Sequence, residues 1–554
     1  MRVVILSLVA TLAFAIAGCG RKDGAPKSPA SVAAADLAAA SPLDKPYRLK
    51  GGADLDVDRL FELAPLYMRP TYEKASFDAK LGATVVTGLK FGDIAGGKGF
   101  TAKRAEFYDV DLDRIEKLQS AATAPADAPL HSVLGKLRLY EIESASQSGA
   151  KTTIGAVEID SLRVRDGGIP KETPASGLAA FFNAFDVAGV YFKDLKVAAA
   201  DAGAGAGAAF DFAAPDLRFV GLGGGRLNAL LGRDLDYVIR QSPDAIAAAG
   251  RGLGPAGDIL VNGPLRNFIA PENQRTTLKT FEWRDISFAG LLAYGLRGER
   301  PPITARNLIN LGTARFIDAE TFIGDKRLSV VPDTTISAME FAWLAPSKIR
   351  ALTRGALYDL TAYVPDTEKE AIGVLKARGL DRIRGDSVFA YDWSADKGDA
   401  AMSADFASAG FVDVDFDIAL AGLELKKIEA GRAAGAPQPA LDLARLKSLS
   451  ITIADEEMLD AFYELSALEA GGSAKDLRAA TPAMMRIGQM ELARESPRLA
   501  GYVEAIADFL EDGGVLEIRA PPQTPVPLSA IGAAAPAGPD AMAEAISLTV
   551  TRKK

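Results

Sequence analysis

The sequence predicts an α+β protein dominated by a long, curved, bulged antiparallel β-sheet, with amphipathic helices packed on one face and a helical insertion near the C-terminus. Three observations carry this. From residue 83 onward apolar residues recur with period two, the period of a strand. An eight-residue phrase recurs along the chain, each time with a small or polar residue at its centre. Residues 455–511 then switch to helical spacing before strand spacing returns.

The phrase reads apolar, any, apolar, any, small or polar, apolar, any, apolar. It occurs at 105–112 around Asp109, 157–164 around Ser161, 190–197 around Asp194, 281–288 around Asp285, 418–425 around Gly422 and 444–451 around Ser448. Alternate side chains of a strand face opposite ways, so the central residue would throw the second apolar pair onto the wrong face unless the backbone bulges or bends there. Each phrase therefore predicts a half-buried strand with a central kink, and together they predict an antiparallel sheet with one apolar face. The clearest meander is 387–425: Phe389, Tyr391 and Trp393 share a face, 395–398 turn, and Val412, Val414, Phe416 and Ile418 alternate with Asp413, Asp415 and Asp417.

Helical spacing is predicted at 58–63, before Pro65, and over 227–249, with a second helix starting at Ser242-Pro243. Three amphipathic helices are predicted at 455–468, 473–493 and 497–510, bounded by Gly471-Gly472, Ser496-Pro497 and Asp512-Gly513-Gly514. A strand at 515–519, a Pro-rich crossing and a last strand at 546–551 follow. The Gly/Ala tract 198–209 and the stretch 426–440 are read as loops.

The N-terminus is a separate signal. Arg2, an apolar run over 3–16, and then Ile16-Ala17-Gly18-Cys19 before polar residues form a signal peptide, too short for a bilayer crossing of about 20 residues. Ile16, Ala17, Gly18 and Cys19 resemble a bacterial lipobox, which implies lipidation of Cys19 and cleavage just before it. The predicted organisation is a signal peptide at 1–18, a lipidated cysteine and tether at 19–45, a β-rich N-terminal domain with helices at 46–290, and a C-terminal β-meander at 291–554 with its three-helix insertion at 455–511.

Composition bounds the chemistry. Cys19 is the only cysteine of 554 residues, so no internal disulfide is possible and packing must supply stability. A net charge of -9 without a basic cluster argues against a nucleic-acid partner. His131 is the only histidine; it excludes a His-rich zinc site, leaves one possible base for a Ser-His-Asp triad, and is read as a solvated loop residue. Three aspartate runs, at 54–58, 109–113 and 413–417, lack the Gly and Glu of a calcium loop; the last two read as wet strand faces, and no metal or cofactor is predicted. Gly221-Leu222-Gly223-Gly224-Gly225-Arg226 precedes a predicted helix but has neither P-loop nor dinucleotide spacing, so it reads as a strand-to-helix connection. With no G-x-S-x-G elbow, the reading is not an enzyme. The aromatics Phe281, Trp283 and Phe288, with Phe389, Tyr391 and Trp393, are candidates to line an apolar groove, core packing being the alternative.

The kinked phrases, with stretches such as Leu357-Tyr358-Asp359-Leu360-Thr361, resemble envelope proteins of the AsmA-like and YdgA-like kind over residues 80–450. That resemblance implies a role in envelope maintenance and, by analogy with the longest such proteins, lipid carried along an apolar groove; it carries over no catalytic residue. This chain has a lipobox where they have an N-terminal membrane helix. The expectation is a non-enzymatic envelope lipoprotein, held by its lipid in the outer membrane facing the periplasm, with phospholipid or other envelope proteins as partners. A structural scaffold is the alternative reading, and a carboxylate-based glycan hydrolase a third.

Overall fold

The structure is a computed structural model that describes residues 42–45, 47, 54–64, 69–92, 99–120, 127–145, 150–166, 177–199, 208–242, 272–436, 438–534 and 538–554. The lipobox, Cys19 and the residues before Pro42 lie outside the described residues. Two compact units divide between Lys326 and Arg327.

The first unit is a meander in which each strand pairs antiparallel with the next: β1 (Lys74–Asp78), β2 (Ala83–Phe91), β3 (Phe100–Val110), β4 (Leu130–Ala145), β5 (Lys151–Arg165), β6 (Phe185–Ala199), β7 (Ala208–Gly223), β8 (Arg226–Gln241) and β9 (Asn273–Ser287). After β10 (Arg306–Asn310), β11 (Thr313–Ile323) pairs with β9. The expected kinks are present. Asp109, Ser161, Asp194 and Asp285 have φ of 49°, 53°, 55° and 61°, a left-handed conformation that Asp and other short polar residues reach most easily after Gly.

These kinks line up across strands. At one level, successive strands carry Asp109, Gly135, Ser161, Ala188, Gly221, Asn228 and Asp285; at the other they carry Gly88, Lys103, Glu141, Gly155, Asp194, Pro215, Asp234, Lys279 and Asp318. Within each level a positive φ falls on every second strand, and the register continues across it. The partner is often small for a reason of space: a Cβ on Gly155 would stand 3.1 Å from Cβ of Asp194. The parity change does what the phrase requires. Leu139 and Ile142 on β4, like Ala105 and Ala102 on β3, straddle a kink yet pack in the same apolar cluster. That cluster is closed by α1 (Val57–Glu62), capped by Asp56, which buries Val57 and Phe61 against Val86, Phe107 and Val157. Leu118 of α2 (Leu112–Ser120) covers Val133, Leu134 and Val164, and α3 (Gly177–Asn183) and α4 (Ala289–Leu296) complete this unit's described α-helices.

The second unit continues as β12 (Lys326–Ala342), β13 (Ala345–Tyr358), α5 (Lys369–Ala377), β14 (Ile383–Ser394), β15 (Asp399–Ala409), β16 (Val412–Ala421), α6 (Leu425–Ala433), α7 (Pro439–Leu443) and β17 (Arg445–Asp455). The inserted helices α8 (Met458–Ala470), α9 (Ala474–Glu495) and α10 (Pro497–Asp512) follow, then β18 (Val515–Ala520), β19 (Val526–Pro527), α11 (Leu528–Ala534), α12 (Pro539–Ala545) and β20 (Thr549–Lys553). Strands β12 to β18 pair antiparallel in sequence order, and β20 closes on β18. Helices α8 and α10 seal one end of the apolar face, where Leu459, Tyr463 and Phe509 meet Ile453, Leu516 and Val550.

Several expectations are corrected. Residues 227–241 are strand β8, because kinks opposite Gly221 and at Asp234 turn strand alternation into helix-like spacing; residues 243–249 lie outside the described residues. Gly224 and Gly225, with φ of 55° and 72°, form the two-residue turn of the β7–β8 hairpin instead of leading into a helix. The tract 198–209 is strand at both ends, its centre lying outside the described residues. The stretch 426–440 holds most of α6 and the start of α7, and the Pro-rich crossing holds β19, α11 and α12. The last strand starts at Thr549, not at residue 546. Two phrases lack the central kink: Gly422 lies just past the end of β16, and in the other the register slips at Lys447, where Ala419 and Leu420 face Ser448 and Leu446.

Candidate functional site

The two faces of the first sheet differ in chemistry between the two kink levels. One carries two apolar rows in direct cross-strand register: Phe107, Leu137, Ile159, Val190, Phe219, Leu230 and Trp283, beside Ala105, Leu139, Val157, Phe192, Leu217, Gly232 and Phe281. The second row ends on Phe316 of β11. Ring pairs join and extend the rows: Phe192 meets Phe219 across them at 5.8 Å, and Phe281 meets Phe316 along the second at 5.3 Å. The cluster under α1 reaches Val190 and Phe192. Beyond it Leu217, Phe219, Leu230, Phe281, Trp283 and Phe316 are each only half-buried.

The opposite face carries charge, and it is the more deeply buried. Glu106, Arg138, Glu158, Tyr191 and Arg218 stand in one cross-strand row, each less than a tenth exposed. Glu158 bridges Lys136 Nζ at 2.5 Å and Arg138 Nε at 2.8 Å. Asp216 takes both Nε and Nη2 of Arg218, at 2.8 and 2.7 Å, and Arg233 at 3.2 Å. Glu106 accepts from the Tyr108 hydroxyl at 2.8 Å and pairs with Arg104 at 2.6 Å. Burial, and then the bond to Glu106, pushes the Tyr108 hydroxyl far above the ordinary tyrosine range, so it stays a donor. At the edge of this face, burial and a bond to Asp109 push Tyr47 up to about 12. The buried carboxylates are thus committed to cations and phenols, and this face holds the sheet together.

The second unit repeats the apolar face, but its opposite face buries a single carboxylate among the described residues, Glu517, paired with Arg519 and Lys553. Ala351, Phe389, Ala404, Phe416, Ile451, Ile518 and Val550 form one cross-strand row, and Ile349, Tyr391, Met402, Ile418 and Leu449 another. Phe389, Tyr391, Met402, Phe416 and Ile418 are half-buried.

The six aromatics singled out by sequence belong to two units. Phe281 and Trp283 lie in the first apolar face, the Trp283 indole N–H donating to the Leu311 carbonyl. Phe288 is off the strand, at the N-terminal end of α4, and 42% exposed. Phe389, Tyr391 and Trp393 lie in the second, with the Trp393 indole donating to the Leu423 carbonyl at 2.9 Å. The buried charges were not foreseen. Part of their signal lies in the "any" positions of the phrase, which hold the buried Glu106, Glu158 and Glu282.

The other singled-out residues have structural duties. His131 is on β4, not in a loop, and it has orienting partners: Nδ1 lies 3.0 Å from Arg114 and Nε2 3.1 Å from Asp166. Asp56 caps α1, Asp58 accepts from the Tyr72 hydroxyl at 2.7 Å, and Asp413 accepts from the Ser408 amide at 2.8 Å. Asp111 accepts from the Arg114 amide and Asp113 pairs with Arg59, so that run is a strand end and helix start, not a wet strand face.

A family model described only as "Uncharacterized protein" matches residues 403–553, from within β15 through β20. No curated protein matches the chain.

Proposed function

We propose that this chain is a non-enzymatic bacterial envelope lipoprotein, anchored through Cys19, that holds acyl chains of a phospholipid or a similar apolar ligand on its half-open sheet faces. The observation that supports this most is the run of Leu217, Phe219, Leu230, Phe281, Trp283 and Phe316, half-buried beyond the cover of α1. A protein in water does not ordinarily leave so long an apolar row only partly covered, and such a row fits a methylene chain better than a polar substrate. The AsmA-like resemblance points the same way, and the lipobox-like run ending at Cys19 supports an anchor in a membrane, on this reading the outer one facing the periplasm.

Native mass spectrometry of the chain after gentle extraction tests it. Bound phospholipid is expected, and Phe219→Asp with Trp283→Asp removes it. Repeated absence of lipid, with an envelope protein co-purifying, favours the scaffold reading. The anchor is tested apart: the mature chain begins at a lipidated Cys19 by mass spectrometry, and Cys19→Ala releases it from the membrane fraction.

A further inference from the structure

Helix α9 turns large apolar side chains outward and packs arginines against its neighbours. Three of its polar side chains reach the body: Arg486 pairs with Glu504, Asp508 and Glu511 of α10 at 3.0, 2.7 and 2.7 Å, Arg478 donates to the Glu511 carbonyl at 2.7 Å and pairs with Asp460, and Gln489 donates to the Ala500 carbonyl at 2.9 Å. Met484, Ile487 and Met490 face out, 65, 63 and 66% exposed, while Leu477 packs with Tyr463 and Phe509 and Pro482 is buried. A surface helix normally does the reverse.

The outward stripe has an order that points to its occupant. Asp476, Ala480, Ala483, Ile487, Met490 and Arg494 are all exposed and follow one another at intervals of four, three, four, three and four, the seam spacing of a coiled coil. The seam is self-complementary about the level of Met485. Set antiparallel against itself there, it places Met490 against Ala480, Ile487 against Ala483, and Asp476 against Arg494. Large side chains meet small ones in the middle and opposite charges meet at both ends, as an isologous two-fold contact requires. A lipid surface would ask for no such pairing of sizes and charges.

We infer that α9 is a homodimer contact, packing antiparallel against α9 of a second copy of this chain. The inference is independent of what the sheet faces bind. Sedimentation of the full chain in mild detergent, with bound detergent accounted for, reads it directly. Twice the chain mass is expected at micromolar concentration. Ile487→Glu with Met490→Glu gives the single-chain mass and an unchanged far-ultraviolet circular dichroism spectrum, because both side chains are exposed. Asp476→Arg weakens pairing by about tenfold, since each end then opposes two arginines, and adding Arg494→Asp restores it. A single-chain mass for the unaltered protein at tens of micromolar, or a dimer indifferent to Ile487→Glu, overturns the assignment. Single-chain protein whose binding to phosphatidylethanolamine–phosphatidylglycerol vesicles falls with Ile487→Glu also overturns it and gives the stripe to lipid.

Discussion

Strands β3 to β9 and strands β14 to β18 are both antiparallel meanders with an apolar face, yet they are built by different means. The first set bends at two aligned levels, carries left-handed Asp, Glu, Ser or Gly at those levels, and buries an ionic network on the face away from the apolar rows. In the second set, the positive φ values near the strands belong to turn and end glycines such as Gly398, Gly410 and Gly422, and polar partners such as Asp415 and Asp417 face water. Buried charge is concentrated where the kinks are: the straight set buries only Glu517, paired with Arg519 and Lys553, among its described charged residues. Between two bends the polar side chains at alternate positions are drawn out of water, and only cross-strand pairing makes their burial tolerable.

Removing one member of the buried network has the largest expected effect. Glu158→Gln leaves Lys136 and Arg138 buried without their shared carboxylate, a loss of about 3–5 kcal/mol. The matching change on the straight sheet, Asp417→Asn on an exposed position of β16, stays within about 0.5 kcal/mol. Urea unfolding of both variants decides it. Equal effects at the two sites would mean that the charged face of the first sheet is no more consequential than a wet one.

A smaller effect isolates the kink from the charge. Asp194 is exposed but held at φ 55° opposite Gly155. Asp194→Ala is expected to cost about 1 kcal/mol through the steric penalty of a Cβ without a local acceptor, and Asp194→Asn a few tenths. Asp415→Ala, on an unkinked exposed strand position, should cost less than Asp194→Ala. If Ala is as well tolerated at 194 as at 415, the aligned bends are not held by residue choice.

The same contrast explains what was legible in the sequence. Asp109, Ser161, Asp194 and Asp285 announced their bends because a polar residue interrupts apolar alternation and alternation resumes in the opposite phase, a pattern that regular strands and helices do not produce. Where two kinks lie close together that signal works against itself. Along β8, Leu227, Leu230, Leu231, Leu235 and Val238 have helix spacing, although Leu230 joins the apolar row and Leu231 stands between Arg218 and Glu282 on the other face. The short Ala-rich helices α6 and α7 were hidden because Ala and Gly give no strong periodicity, whereas α8, α9 and α10 were plain from their length and their Gly and Ser-Pro boundaries. The apolar rows were legible strand by strand, but which of them a helix covers depends on tertiary packing that no local spacing records. Likewise the periodicity of α9 says that one face is apolar, not that it is the outer one.

The smallest expected effect concerns the edge where helices seal the straight sheet. Asp455 ends β17, and its Oδ1 accepts from the Leu459 amide at 2.9 Å at the start of α8. Burial is the main reason its carboxyl is raised above the ordinary 3.8; repulsion from Asp460 and Glu457 adds to it, while the Leu459 amide and Arg478 oppose it. A carboxyl whose folded pKa is raised holds its proton more tightly in the folded state. Its contribution to stability is therefore fully present below pH 3.8 and is lost as pH rises through the folded value. At neutral pH the ionised group is a liability that Asp455→Asn relieves, because the amide oxygen can still accept from Leu459 without carrying charge. The gain should stay under about 1 kcal/mol, since partial exposure screens the charge. Thermal melting across pH 3 to 8 should show the variant more stable near neutrality, with the difference closing as pH falls toward about 4, the ordinary carboxyl range. Loss of stability at neutral pH would show instead that the ionised oxygen holds the start of α8 more firmly than burial penalises it.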